Sequence, residues 1–308
     1  MESFWRLVGW RPSFLVVVMT MFMGLMPSFP VEARVYTDQS ERRVSVPDNP
    51  QRLVALAPSI TEIIFALGQE ARLQGVTQFS DYPAAARSLP KIGSYIHLDL
   101  ERIMALRPDL CIGIKDGNPK YAVDRLTELG IPVYVVDPRN LAGLMQSIRE
   151  IGELLGASDQ AQRLVADMQR RLDQIKALVT KHPDRPKVFL QIGISPIVSA
   201  GSNTFLDELI SRAGGQNLAA GAEAYPRFSK EQVLALQPEI IIITSMTRGG
   251  AFEQIKAEWS QWPHLPAAQN QRIFVVDSDI FDRPSPRMIK ALEVLFGLIH
   301  PELRSQLP

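Results

Sequence analysis

A pattern of sixteen residues occurs twice in this chain, and it limits the possible folds more than any other feature. Residues 99–114 are DLERIMALRPDLCIGI and residues 229–244 are SKEQVLALQPEIIIIT, aligned without a gap. Each copy contains a helix start, an apolar stripe, a proline break and an apolar run typical of a buried strand. Chance recurrence of a helix–strand unit is the alternative explanation. The aligned prolines and the aligned glutamates, Glu101 and Glu231, favour two similarly built lobes.

Short apolar runs alternate with helical patterns on both sides of the chain's midpoint. The apolar runs cover residues 52–57, 110–114, 133–136, 188–192, 240–244 and 273–276. Such alternation is typical of mostly parallel sheets flanked by helices. We therefore predict an α/β fold with one sheet in each lobe.

A long amphipathic segment separates the two halves. Apolar residues recur at gaps of three and four from Ala161 to Val179, which is the spacing of one helical face. Ser158 is a suitable N-cap, and a helix over 159–180 would span about 33 Å. We predict one long rigid helix that joins the lobes. The predicted divisions are a signal peptide (1–33), an N-terminal lobe (34–157), the bridging helix (158–182) and a C-terminal lobe (183–308).

The first residues are typical of an export signal. Arg6 and Arg11 precede an uncharged apolar run over 14–26, and Val31-Glu32-Ala33 resembles a signal-peptidase site. The run is shorter than the roughly 20 residues of a membrane span, although an uncleaved anchor is the alternative. We expect cleavage near Ala33 and a periplasmic protein. Since no cysteine lies near that site, we do not expect a lipoprotein.

Charge and motifs argue against several functions. Lys plus Arg and Asp plus Glu both total 33, so no net field favours nucleic acid. G-x-S-x-G, G-x-G-x-x-G and Walker sequences are absent. The histidines lack metal-ligand spacing. His182 and His300 are expected at the surface, whereas His97 is a candidate ligand contact in a loop. We predict a protein that is no enzyme and has no resident cofactor or metal.

Aromatic residues and arginines collect at the ends of the predicted elements. They are Tyr82, Tyr95, Tyr225, Phe228, Phe281, Arg227, Arg248, Arg283 and Arg287. Ligands of open α/β sheets bind beyond the carboxyl ends of the strands. Aromatic faces suit a flat conjugated ligand, and arginine binds carboxylate, amide or phosphate oxygens. Any one of these residues could instead cover a core edge or face solvent.

Seven strings follow one another along the chain: LAPSITEIIFALG (56–68), SDYP (80–83), LERIMALRPDL (100–110), LGIPVYVVD (129–137), VFLQIGISP (188–196), SKEQVLALQPEIIIIT (229–244) and SDIFDRPSPRMI (278–289). In this order they resemble the periplasmic binding proteins of the cobalamin and iron-siderophore importers, most of all the cobalamin binders. The resemblance implies two α/β lobes, a ligand in the cleft between them and an ABC importer as partner. A monomer is expected.

The resemblance also implies roles for individual residues. Glu101 and Glu231 match the acidic residues that dock onto arginines of the importer's membrane subunits. A glutamate in a first helical turn could alternatively serve only the helix dipole. The family's cobalamin contacts correspond to Tyr82, Tyr95, Tyr225, Asp279 and Arg283.

The cargo is less well determined by these strings. Cobalamin binders carry tryptophan where this chain has Tyr95, Ile114 and Tyr225, which leaves room for a related corrinoid. Haem-binding relatives use a tyrosine ligand near Tyr95, but six residues from Tyr95 to Glu101 differ from the seven expected there. A ferric siderophore is a further alternative. A secreted α/β hydrolase using His97 and Asp279, and a membrane-tethered sensor, are remote ones.

Overall fold

The computed structural model describes residues 33–244 and 251–307. The predicted signal peptide, except Ala33, and the candidate Arg248 therefore lie outside the described residues. Within these ranges, none of the helices has the length and apolar character that a membrane crossing requires.

The N-terminal lobe is built on a parallel sheet. In chain order it contains β1 (Ala33–Thr37), β2 (Arg43–Pro47), β3 (Leu53–Ala55), α1 (Pro58–Ala66), β4 (Leu73–Val76), α2 (Leu100–Ala105), β5 (Leu110–Ile114), α3 (Lys120–Glu128), β6 (Val133–Val136) and α4 (Leu141–Leu154). The described sheet order is β4-β3-β5-β6, while β1 and β2 form a separate antiparallel pair. Short apolar strands joined by helical crossovers produce this parallel arrangement.

Helix α5 (Ser158–Lys181) leads into the C-terminal lobe. That lobe contains β7 (Lys187–Gly193), β8 (Ile197–Ser199), α6 (Phe205–Arg212), β9 (Gln216–Asn217), β10 (Arg227–Phe228), α7 (Lys230–Leu236), β11 (Ile240–Ile243), α8 (Ala251–Ser260), α9 (Pro266–Gln269), β12 (Ile273–Val275), α10 (Ser278–Phe281) and α11 (Met288–Ile299). Its described sheet has the order β10-β8-β7-β11-β12, with β9 beside β7. Strands β7, β11 and β12 run parallel, and β8 runs antiparallel to β7. The α/β fold class is thereby confirmed.

Helix α5 corresponds to the predicted bridging helix. Its buried residues are Ala161, Val165, Met168, Leu172, Ile175 and Val179. These side chains form the face that the apolar spacing predicts, and α5 packs on α4 of one lobe and on α6 and α11 of the other. Arg171 on this helix also pairs with the buried Glu293 of α11 at 2.6 Å. The prediction that Ser158 is the N-cap is wrong, because Ala157 holds that position without a side-chain bond.

The two copies of the repeat occupy the same place in their sheets. Strand β5 lies between β3 and β6, and β11 lies between β7 and β12. The residue before each aligned proline has a left-handed backbone, with φ of 47° at Arg107 and 49° at Gln237. This conformation ends the helix and redirects the chain into the strand.

A carboxylate after each aligned proline secures the entry of a neighbouring strand. Asp109 Oδ1 accepts the Arg52 N–H at 2.9 Å. Glu239 Oε2 accepts the Lys187 N–H at 2.6 Å. The two copies thus correspond in residue identity, in backbone conformation and in hydrogen bonding.

The prediction that His300 is a surface residue is wrong. Only 3% of it is exposed, and its ring lies 5.3 Å from that of Phe296. Burial lowers the pKa of His300, although Glu302 opposes that change. A residue near the chain end is buried here because the segment after α11 folds back over that helix.

Candidate ligand-binding cleft

An ion network joins the lobes where the carboxyl ends of their sheets meet. Arg287 Nε and Nη2 donate to the two carboxylate oxygens of Glu62 at 2.8 and 2.5 Å. Arg283 donates to Asp81 at 2.9 Å and to Asp279 at 2.6 Å. Glu62 belongs to α1, which follows β3, and the arginines follow α10. Because parallel strands point their carboxyl ends to one edge, the network lies at the base of the cleft between the lobes.

Glu62 is the residue of this network that is hidden from water, with its side chain 2% exposed. A buried carboxylate requires a compensating partner, and the two-oxygen contact with Arg287 supplies it. Arg283 adds a longer contact to the same carboxylate, at 3.4 Å. The relative placement of the lobes therefore depends on ion pairs between residues that are more than 200 positions apart in the chain.

Tyr82 lies directly on this network. The Arg287 guanidinium carbon is 4.0 Å from the centroid of the tyrosine ring, a cation–π distance. The residue is nevertheless 47% exposed. One part of the ring is thus fixed by the arginine, and the remainder is available as an apolar surface at the cleft base.

Tyr95 is held in the N-terminal wall by its backbone and by a glycine. Asn118 Nδ2 donates to the carbonyl oxygens of Tyr95 and Leu56, at 2.8 Å each. Gly117 has φ of +130°, and a Cβ there would lie 2.9 Å from Cδ2 of the tyrosine ring. The ring also meets Phe79 edge-on, with centroids 6.4 Å apart. A side chain at position 117 would displace the aromatic ring.

Phe79 is a candidate that the sequence analysis missed. It is 38% exposed, its ring meets that of Tyr95 edge-on, and it precedes Tyr82 by three positions in the same loop. Its proximity to the SDYP string was the available signal. The N-terminal wall therefore offers three neighbouring aromatic residues.

His97 lies at the tip of a tight turn. Its backbone N–H donates to the Ser94 carbonyl at 3.2 Å and to the Ser94 hydroxyl at 3.0 Å. Gly93 and Leu98 close the turn with a bridge. Both Ile96 and His97 are exposed there. The turn therefore keeps the histidine accessible, as a ligand contact requires.

Tyr225 extends from the C-terminal lobe toward charges of the other lobe. It is 61% exposed, but partial burial raises the pKa of its phenol, and the charges of Asp116 and Asp282 raise it further. Arg139, which pairs with Asp116, opposes this. Asp116 and Arg139 belong to the N-terminal lobe, so the phenol lies within the electrostatic reach of both walls.

Asp282 is a second residue that sequence analysis missed. It caps the end of α10, and the Thr244 hydroxyl at the carboxyl end of β11 donates to its Oδ2 at 3.2 Å. Burial raises the pKa of Asp282 to about 6; the Thr244 hydrogen bond and the charge of Arg283 oppose that rise, while Asp279 and Asp277 reinforce it. Asp282 lies within the string over 278–289, but that string did not distinguish it from its neighbours, because its raised pKa comes from burial.

The structure thus places the sequence-predicted contacts in three parts of the cleft. Tyr82, Asp279 and Arg283 share the ion network, and Tyr95 lies in the N-terminal wall. Tyr225 reaches across from the other lobe. Among the remaining loop aromatics, Phe281 is fully buried and belongs to the core, and Phe228 packs edge-on against Phe189. In the described part of the chain, no group of three or more histidine, cysteine or acidic residues is placed to hold a metal ion.

Glu101 and Glu231 are both exposed in the first turns of short helices. Neither is needed as a cap. The Asp99 side chain accepts the Arg102 N–H in one lobe, and Ser229 with Gln232 forms a capping box in the other. Both carboxylates are exposed and can contact a partner; that of Glu231 also forms hydrogen bonds with Ser229 and with its own backbone, which lower its pKa.

Known proteins with a similar sequence come from one family. Residues 53–280 match the periplasmic binding protein family. The vitamin B12-binding protein of Pectobacterium atrosepticum is 32% identical over 250 residues, covering 79% of this chain and 86% of that protein. The vitamin B12-binding protein of Vibrio parahaemolyticus is also 32% identical, over 246 residues with the same coverage.

Solved structures with the same fold bind more than one cargo. The periplasmic vitamin B12-binding protein of Vibrio cholerae superposes with a TM-score of 0.73 at 28% identity, covering 83% of this chain and 98% of that chain. A periplasmic haem-binding protein from Roseiflexus has a TM-score of 0.73 at 29% identity, covering 82% and 98%. One from Pseudomonas aeruginosa has a TM-score of 0.72 at 31% identity, covering 82% and 93%.

Proposed function

The chain belongs to the periplasmic binding protein family, and from that premise we propose that it binds a corrinoid between its lobes and delivers it to an ABC importer. The observation that carries the cargo is the 32% identity to vitamin B12-binding proteins over most of both chains. The cleft supports it, because three aromatic residues on one wall and polar groups on the other suit a flat ligand with polar edges. We further propose an exported monomer, cleaved near Ala33.

Calorimetry with cyanocobalamin and with cobinamide tests the cargo. Binding of either at micromolar concentration or tighter is expected. Absence of heat from both would remove the corrinoid and leave the family assignment standing. A preference for cobinamide would show that the less tryptophan-rich cleft favours the smaller corrinoid.

Haem is the second candidate cargo, favoured by the half-buried Tyr95 in the cleft wall and by the haem-binding structures of the same fold. A tyrosine ligand to the iron would shift the Soret band. Replacement Tyr95→Phe keeps the packing on Gly117 but removes the oxygen, so the shifted band would be lost in that variant. An unchanged wild-type spectrum would exclude this cargo.

The enzyme alternatives have little support. Asp279 forms an ion pair with Arg283 at 2.6 Å, and no sequence motif places it beside His97. A nucleophile with an adjacent base is what a hydrolase would require. We propose that binding and delivery, without catalysis, constitute the function.

Importer docking is assigned to Glu101 and Glu231. Both are exposed, both occupy the same position of the repeated unit, and neither caps its helix. The double variant Glu101→Gln with Glu231→Gln should keep ligand affinity within about twofold, because both residues are exposed in helix first turns and neither takes part in the ion network. Importer-dependent uptake or ATPase stimulation should fall at least tenfold. Wild-type transport by the double variant would contradict the docking role, and Glu128→Gln, an exposed carboxylate on α3, serves as the control.

A further inference from the structure

Asp282 differs from the other carboxylates at the cleft base in its partners. Glu62, Asp81 and Asp279 all contact Arg283 or Arg287. Within residues 33–244 and 251–307, the hydrogen bond to Asp282 comes from the neutral Thr244 hydroxyl, and no Lys or Arg forms an ion pair with it. Thr244 engages Oδ2, which leaves Oδ1 for another donor.

The position of Asp282 is suited to contact with a ligand. Thr244 directly follows β11, an inner strand of its sheet, and Arg283, the residue after Asp282, reaches the N-terminal lobe at Asp81. The charge of Asp282 also acts on Tyr225, whose phenol is influenced by Asp116 of the opposite lobe. Asp282 therefore adjoins one residue that reaches across the cleft, Arg283, and lies within electrostatic reach of a second, Tyr225.

The groups around Asp282 explain its titration. Asp277 and Asp279 of its own segment favour the protonated form, and Arg283 favours the ionised form. From other elements, Thr244 donates a hydrogen bond and Tyr225 contributes its neutral phenol. Burial is the largest cause and places the pKa at about 6. The carboxyl therefore changes between donor and acceptor within the range of ordinary extracellular pH.

We propose that Asp282 is a ligand-binding residue whose free oxygen accepts an N–H from a primary amide of the cargo. This inference rests on the proposed corrinoid function. Corrinoids carry primary amides around the ring, whereas haem carries carboxylates at its edge. An amide N–H is matched by an ionised Asp282, and a carboxylate is matched only by a protonated one.

The sign of the pH dependence separates the two ligand chemistries. An amide N–H stabilises the ionised form, so the complex has the lower pKa and binding releases a proton near pH 6. Affinity for an amide ligand therefore falls as the pH decreases through 6. A carboxylate ligand would give the reverse, with affinity rising as the pH decreases and a proton being taken up.

Calorimetry of cyanocobalamin at pH 7.5 and pH 5 tests the assignment. The wild type should bind about tenfold more weakly at pH 5, in line with the loss of one charge-assisted hydrogen bond. Repeating the titration at pH 6 in two buffers of different ionisation enthalpy should show proton release. Asp282→Asn keeps an oxygen for Thr244 and should bind equally, within twofold, at both pH values.

Matched controls make each outcome decisive. Glu223→Gln removes an exposed carboxylate from the same lobe and should retain the tenfold decrease. Equal wild-type affinities at the two pH values, tighter binding at pH 5, or an unchanged decrease in a folded Asp282→Asn would overturn the role of Asp282 alone. No binding of cyanocobalamin at either pH would overturn the proposed corrinoid function together with this inference.

Discussion

The two lobes share one structural unit but present different chemistry to the cleft. In both, a short helix with an exposed glutamate is followed by a left-handed residue, a buried proline and an inner strand of the sheet. On the cleft side, the N-terminal lobe contributes Phe79, Tyr82 and Tyr95, whereas the C-terminal lobe contributes Asp282, Arg283 and Arg287. The common unit therefore presents one exposed glutamate from each lobe, whereas the side chains at the cleft differ between the lobes.

This difference corresponds to two separate tasks. A pair of like surfaces suits docking onto an importer with paired membrane subunits, which is the partner proposed here. A cleft with one aromatic wall and one polar wall suits a single ligand in a single orientation. The ion network fixes how the two walls face each other, so the lobes are most dependent on one another at the cleft base.

Removing the buried charge of that network should cause the largest loss of stability. Glu62→Gln leaves Arg287 without its ionic partner in a site largely hidden from water. We expect the free energy of unfolding to decrease by about 3 kcal/mol, because an uncompensated buried charge typically costs 3–5 kcal/mol. Urea denaturation measures this. Glu101→Gln, which neutralises an exposed glutamate of the same lobe, should change stability by less than about 0.5 kcal/mol; a similar small change in Glu62→Gln would show that the lobes do not depend on the pair.

A glycine-to-alanine substitution should reduce stability and ligand binding in the aromatic wall but not in the opposite lobe. Gly117→Ala places a methyl group 2.9 Å from the Tyr95 ring and in a backbone region with φ of +130°. We expect a loss of about 1–3 kcal/mol together with weaker ligand binding, since the ring must move. In Gly221→Ala of the C-terminal lobe, the added carbon meets no atom within 4 Å, so little change is expected. Equal effects in thermal unfolding would contradict the role of Gly117 in positioning Tyr95.

Substitutions in the repeated turn should have the smallest effect and should be similar in the two lobes. Arg107→Gly and Gln237→Gly relieve the left-handed conformation that a side chain disfavours. Each should stabilise the protein by about 0.5–1 kcal/mol, because relief of about 1–2 kcal/mol of backbone strain is partly offset by the greater freedom of glycine when unfolded. If chemical denaturation showed that one substitution raises the free energy of unfolding and the other lowers it, the two copies would differ despite their similar geometry.

Local pattern in the sequence predicted much of the architecture. The alternation of apolar runs with helical periodicity predicted the α/β class, and the spacing from Ala161 to Val179 predicted the buried face of α5. These features depend on side-chain periodicity along a few consecutive turns, so neighbouring residues suffice to indicate them. The repeat identified Glu101 and Glu231 as equivalent, and the structure places both in exposed first turns.

Contacts between segments far apart in the sequence determine burial and ion pairing, which periodicity along the chain does not indicate. The sequence suggested a surface position for His300 and did not single out Asp282 within the string over 278–289, yet both residues owe their pKa shifts chiefly to burial. The pairing of Glu62 with Arg287 joins residues 225 positions apart. Burial, the strength of a charge and the choice of an ion partner are set by packing between elements, and one residue's neighbours along the chain do not specify them. The sequence by itself determined two lobes and a bridge, and the tertiary structure decided how their surfaces form one cleft.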